Sequence, residues 1–200
     1  MPNSYRFVLL IGLLWSGFAW ADVAMLTQVS GQVSVTGKDG SRAAIPFLKV
    51  SSGDKLTLAA DGRVQMVYFG NGRQEIWKGA GEIEIGSLDG RSAALKPETS
   101  QLPPLVINQL AKTPASGQQG RSGMILVRSL GDPDAVDHLD KQYEELKRAS
   151  PAGDTTPEVF LLSGLIELKE VARAKDLLAK LSAKTGYEAV VEHFTPLVNR

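Results

Sequence analysis

The stretch VSSGDKLTLAADGRVQMVYFGNGRQEIW, residues 50–77, alternates apolar and polar side chains and interrupts the alternation with Gly-Asp, Asp-Gly and Gly-Asn-Gly. A period of two sends successive side chains to opposite faces of an extended strand. Turn residues about every eight to twelve positions leave room only for short strands. The same pattern runs from Val23 to about Ala94, through Val23, Met25 and Val29, Val33 and Val35 around Gly31, Leu56 and Leu58, and Val64, Met66 and Tyr68. Ile76 and Trp77, then Ile83 and Ile85, complete it. One apolar face per strand argues for an antiparallel sandwich or barrel-like domain. Gly62 and Gly72 follow Asp and Asn, the pairing favoured in tight hairpins, so both are expected at positive φ.

From Asp132 onward the period changes to that of helices. Asp132 and Pro133 are a helix start, after which Val136, Leu139, Tyr143 and Leu146 recur at three and four. Thr156 and Pro157 signal a second start, followed by Phe160, Leu161, Leu162, Leu165, Ile166 and Leu168. A third stripe uses Val171, Ala174, Leu177, Leu178 and Leu181 before Gly186, and a last short helix runs from Tyr187 to Phe194. Between the two halves, residues 96–123 are rich in Pro, Gln, Ser and Gly and read as a connector. Within it Leu105, Val106, Ile107 and Leu110 call for a short helix or strap lying on a domain. The predicted organisation is therefore a β domain at 22–95, a strap at 96–123 and a helical hairpin or bundle at 124–200 with a leading strand at 124–127. Residues 22–98 are expected to fold alone, and 124–200 to be less stable or to self-associate.

The N-terminus supplies the compartment. Arg6 precedes the apolar run FVLLIGLLW and the small-residue ending Ala19-Trp20-Ala21, which is the pattern of a secretory signal peptide spanning 1–21. The run is shorter than the roughly 20 apolar residues that span a bilayer, so no stable membrane insertion is expected after cleavage before Asp22. No cysteine is present, which rules out disulfide staples and a lipidated thiol at the cleavage site. A soluble periplasmic protein is the expectation. About 180 residues then remain, enough for one domain or two small ones. Lys plus Arg and Asp plus Glu each total 22, without a basic run, so nucleic acid is not the expected partner.

No catalytic pattern stands out. His138 and His193, the only histidines, lack metal-ligand spacing and read as solvated or helix-satisfying side chains. Ser51, Ser52 and Thr57 have no nucleophile-elbow setting, and Gly70-Asn71-Gly72 opens no helix on which a phosphate would rest. Asp54 and Asp61 are the one carboxylate pair worth weighing for glycoside hydrolysis, but both sit where Asp accepts from turn amides. Glu82 and Glu84 alternate with Ile83 and Ile85 as the wet face of a strand. No cofactor, no metal and no enzymatic activity are expected.

The order VSGQVSV, GDKLTL, GRVQMVYFGNG and IEIG, over about residues 24–86, resembles the FecR-like β domain of bacterial envelope proteins. That resemblance implies a β-rich periplasmic module for protein contact or signalling, and no catalytic residues. The following helices are similar to a tetratricopeptide unit, with small Ala174 and leucines on the inner face of the second helix, although no second copy is read at a 34-residue period. Tyr68, Phe69 and Trp77 flank the Gly70-Asn71-Gly72 turn and are candidates for binding a partner or stacking on a sugar. Phe160, Leu177 and Phe194 are the corresponding candidates on the helices. The expected function is a non-enzymatic scaffold that binds an unidentified envelope protein through both parts; the alternative is a cell-wall polysaccharide or peptidoglycan binder using the aromatic edge.

Overall fold

The computed structural model describes residues 22–116 and 133–199. The signal segment 1–21, the strand expected at 124–127 and the Asp132 cap lie outside the described residues. Ten strands come first: β1 (Asp22–Ser30), β2 (Val33–Gly37), β3 (Gly40–Ala43), β4 (Lys49–Ser51), β5 (Lys55–Leu58), β6 (Arg63–Tyr68), β7 (Arg73–Lys78), β8 (Gly81–Ile85), β9 (Gly90–Arg91) and β10 (Glu98–Gln101). Helices α1 (Pro104–Lys112), α2 (Pro133–Ala149), α3 (Thr156–Glu167), α4 (Val171–Ser182) and α5 (Glu188–Val198) follow. The expected strap is α1, which lays Val106 and Leu110 into the core. Among the described residues no helix is long and apolar enough to cross a membrane.

The strands form two five-stranded antiparallel sheets, one in the order β10-β7-β6-β1-β4 and the other β3-β2-β5-β8-β9. Ala24, Leu26, Val35, Leu56, Met66, Tyr68, Trp77, Ile83 and Ile85 fill the space between them. The mainly β first part and the helical second part are thus as expected. Alternation holds in β8, where Ile83 and Ile85 are buried and Glu82 and Glu84 exposed. It breaks in β1. Met25 faces away from the sandwich interior, opposite Val67, and a bulge between Leu26 and Gln28 restores the phase so that Val29 packs inward.

The glycine turns divide into two kinds. Of the three turns within residues 50–77, Gly70-Asn71-Gly72 closes a hairpin, with Asn71 Oδ1 accepting from the Arg73 N–H at 3.0 Å. The Gly53-Asp54 and Asp61-Gly62 turns each carry the chain from one sheet to the other. Asp54 Oδ2 accepts from the Ser51 N–H at 2.9 Å and Asp61 Oδ1 from the Gln32 N–H at 3.5 Å, so both carboxylates serve turns. Gly72 has φ 71° as expected, but Gly62 does not have positive φ. A Cβ at Gly62 would stand 2.9 Å from the Ala59 carbonyl oxygen, so close backbone approach is what demands glycine there. At Gly72 a Cβ would stand 2.2 Å from Ile107 Cδ1 and 2.9 Å from the Leu102 carbonyl oxygen. Gly72→Val therefore combines a forbidden φ with a clash against α1. Its expected cost is about 2 kcal/mol or more, read as a lowered midpoint in urea.

The helices do not stand apart from the sheets. Met25, Phe47 and Val67 join Val106, Leu110, Phe160, Leu165 and Phe194 in one continuous core. Strand β6 is consequently buried on both faces, with only Arg63 partly exposed. Central in this layer is α3, whose residues from Thr156 to Leu165 are all buried; a helix apolar nearly all round must be covered on every side.

Candidate functional site

A polar layer fastens α3 to the β6–β7 face. Gln65 Nε2 donates to Asp154 Oδ1 at 2.7 Å and to Thr156 Oγ1 at 3.1 Å, and Gln74 Nε2 donates to Asp154 Oδ2 at 3.2 Å. Asp154 Oδ1 also accepts the Thr156 N–H at 2.9 Å, which satisfies an amide at the start of α3. Ser100 Oγ donates to Gln74 Oε1 at 2.7 Å. Each residue of this chain of bonds holds another, and the arrangement is structural. The buried carboxylate inside the sandwich is similar. Glu75 accepts from Arg73 Nε at 2.6 Å, Trp77 Nε1 at 3.0 Å and the Gly90 N–H at 3.1 Å.

On the far side of α3 a groove of about 520 Å³ opens between α2 and α4. Three helical stripes build it. Asp140, Tyr143, Glu144 and Lys147 come from α2, Glu158, Leu161 and Leu165 from α3, and Arg173, Asp176, Leu177, Lys180 and Leu181 from α4, with Lys184 just beyond. Spacings of three and four place each set on one face of its helix. Leu139 of α2 meets Gly164, where a Cβ would lie 2.5 Å from its Cδ1, and Lys147 meets Glu158, so α2 runs antiparallel to α3. The turn at Lys169, φ 62°, returns α4 antiparallel to α3 as well. The two walls therefore run parallel. Arg173 Nη2 bridges them at one end, 2.8 and 2.9 Å from the Asp140 carboxylate oxygens.

At the groove's other end Lys147 Nζ donates to Glu158 Oε1 at 2.7 Å and to Tyr143 Oη at 2.6 Å. Glu158 is 1 % exposed, a buried charge that needs this partner. Burial alone would lower the Lys147 pKa, but the bonds to Glu158 and Tyr143 outweigh it and raise the pKa above the usual lysine range. The Tyr143 hydroxyl is raised, first by burial. Tyr187 of the turn before α5 is raised likewise by burial and then by the Glu158 charge. Raised in this way, Lys147, Tyr143 and Tyr187 all keep their protons near neutrality. Among the described residues no cluster of three His, Asp or Glu side chains is arranged to hold a metal ion.

The structure separates the six candidates read from the sequence. Tyr68 and Trp77 are 0 % and 1 % exposed and point into the sandwich, so they form no exposed aromatic edge. Burial, reinforced by the Glu75 charge, drives the Tyr68 hydroxyl upward. Phe69 points to the opposite face, half-buried against the helices, with Lys49 Nζ 5.8 Å from its ring centroid. Phe160 and Phe194 are core residues, each 1 % exposed. Leu177 alone lines the groove. His193, read as a solvated or helix-satisfying side chain, is 3 % exposed and stacks on Phe47. Of the groove's residues, Lys147 and Glu158 carry no reading from the sequence, and Tyr143 reads there only as part of the apolar stripe of α2. The signal available was the i, i+4 spacing of Tyr143 and Lys147 together with an acid in the first turn after Pro157.

Trp77 is the only tryptophan beyond residue 21. Chain beginning at Asp22 is expected to show blue-shifted emission that iodide barely quenches, and titration with cell-wall fragments should leave it unchanged. Strong quenching by either would place the indole at the surface.

The fold defines a class, an antiparallel two-sheet β sandwich covered on one face by a helical layer that carries a groove. No protein-family model matches the sequence, and comparisons with curated proteins and with solved structures also give no match.

Proposed function

We propose that this protein is a non-enzymatic interaction module of the bacterial cell envelope, in which the sandwich is the rigid base and the α2–α4 groove holds a segment of a protein partner. The observation that carries the reading is the groove itself, in which partly exposed Leu177 lies above buried Leu161 and Leu165 and among charges of both signs. An apolar side chain ringed by polar ones is part of the anatomy of protein-binding surfaces. The signal segment and the resemblance to FecR-like β domains support a periplasmic setting. The glycan reading loses its footing because Tyr68 and Trp77 are buried.

The test is site-specific photo-cross-linking in living cells. A photo-reactive residue replacing Leu177 is expected to trap a discrete protein adduct in the periplasmic fraction, whereas the same probe at exposed Glu82 on the outer sheet should trap none. Equal adducts at both positions, or none at Leu177, would assign binding elsewhere.

A further inference from the structure

Asn71-Gly72 is the only Asn-Gly pair in the chain. The glycine has no Cβ to shield its nitrogen, so an asparagine side chain before it is open to attack from its own backbone. Asn71 is exposed, and water reaches it. Yet each polar atom that such an attack must move is held. The Gly72 N–H donates to Tyr68 O at 2.9 Å, and Gly72 O accepts from the Leu102 N–H at 2.9 Å. Asn71 Nδ2 donates to Leu88 O at 2.9 Å, and its Oδ1 accepts from the Arg73 N–H at 3.0 Å. Gln101 Nε2 donates to the Asn71 carbonyl. Gly72 itself is buried at φ 71°, with Ile107 and Leu102 closing on the side where a Cβ would stand.

We infer that Asn71 is a spontaneous modification site that the folded hairpin holds shut, and that a chain lingering open there is marked by losing its side-chain amide. The chemistry needs no partner beyond water. The Gly72 amide gives up its proton and its nitrogen attacks Asn71 Cγ; the N–Cγ bond forms, the Cγ–Nδ2 bond breaks, and ammonia departs carrying that proton. Water then opens the cyclic imide at either carbonyl, leaving an aspartate in the ordinary linkage or in one that runs through Cβ. In the closed tip the attack must first break the bond to Tyr68, and the departure of ammonia the bond to Leu88, while Leu102 and Gln101 pin the backbone that has to swing. Reaction therefore waits for local opening. Either product resists closing again. A carboxylate oxygen would face Leu88 O where an amide donated, and the Cβ linkage lengthens a tip already packed against Ile107. The bond from Asn71 to Leu88 joins the β6–β7 hairpin of one sheet to the β8–β9 loop of the other, so its loss also unties the two sheets at this end.

The experiment incubates three samples in mildly alkaline buffer: chain from Asp22, the same chain unfolded in guanidinium chloride, and a peptide of residues 67–76. Peptide mapping, with fragmentation that separates the two aspartate linkages, follows Asn71 in each. The unfolded chain and the peptide are expected to react at one rate, and the folded chain at least about tenfold more slowly. Hydrogen exchange supplies an independent reading because it too begins with removal of the Gly72 proton; that amide should exchange at least about tenfold more slowly in the folded chain than in the peptide. After return from denaturant, the fraction carrying either aspartate should melt about 3 °C or more below unmodified chain handled alongside it. A folded chain that reacts as fast as the peptide, a Gly72 amide that exchanges at the peptide's rate, an unfolded chain in which Asn71 stays intact, or a modified fraction that regains the parent's midpoint would overturn the proposal.

Discussion

A chain running from residue 22 to residue 103 is expected to lose cooperative folding or to melt at least about 20 °C below the full protein. That fragment keeps all ten strands but lacks the helices that cover Met25, Phe47 and Val67. Returning a side chain of this size to water costs roughly 1.5–3 kcal/mol, so the three together cost on the order of 5–8 kcal/mol. Typical domains hold only about 5–15 kcal/mol in all, and each kcal/mol moves the midpoint of a domain this size by about 4–8 °C. Gln65 and Gln74 would also lose Asp154 and Thr156 as partners. Melting of the fragment within a few degrees of the full protein would show that the sandwich closes its core without the helices, as the alternation alone had led one to expect. The exposed Met25–Val67 face should make the fragment self-associate, which sedimentation at two concentrations would read.

Acid is expected to weaken the fold through one side chain. His193 lies 4.3 Å from the Phe47 ring, nearly parallel to it, with Phe194 edge-on at 5.2 Å. Burial lowers its pKa to about 4, although a hydrogen bond to the Pro114 carbonyl pulls the other way. In the unfolded chain a histidine titrates near 6.5. As pH falls, the unfolded state therefore takes up this proton first. The full contribution is present above about 6.5, declines between 6.5 and 4, and is gone below, a total of about 3 kcal/mol. Chemical denaturation at pH 7 and pH 4 should show His193→Phe losing about 3 kcal/mol less than the parent over that interval, carboxylates acting alike in both. Identical losses would mean that His193 takes up its proton in the folded protein as readily as in the unfolded chain. The same locus contains backbone strain. Phe47 has φ 62°, held by its N–H to Leu26 O at 2.7 Å and by the Ser116 N–H to its own carbonyl at 3.0 Å.

Local chemistry was legible wherever neighbours in the chain decide the outcome. Period-two alternation over 22–85 yields strands because only one face of β5 or β8 is covered. The starts at Pro157 and the stripe from Val171 to Leu181 yield helices for equally local reasons, and the Gly70-Asn71-Gly72 turn closes its hairpin through its own Asn71. Strands β3 and β10 bury no side chain and so carry no apolar alternation, unlike β5 of the same length, and β4 and β9 have only three and two residues, too few for a pattern.

What only the tertiary structure decided is which faces meet. Nothing in RVQMVY says that its second face, Gln65 and Val67, is roofed by a helix ninety residues away, because an amide on a strand looks the same whether it meets water or Asp154. Aromatic residues beside a turn looked like an exposed edge, yet strand phase turned Tyr68 and Trp77 into the sandwich and Phe69 toward the helices. The groove is the sharpest instance. Its three stripes lie on three helices, and they converge because the chain reverses before and after α3, so that α2 and α4 flank it side by side. Sequence determined each stripe through helical spacing; packing of α2 and α4 on α3 decided that they share one cleft.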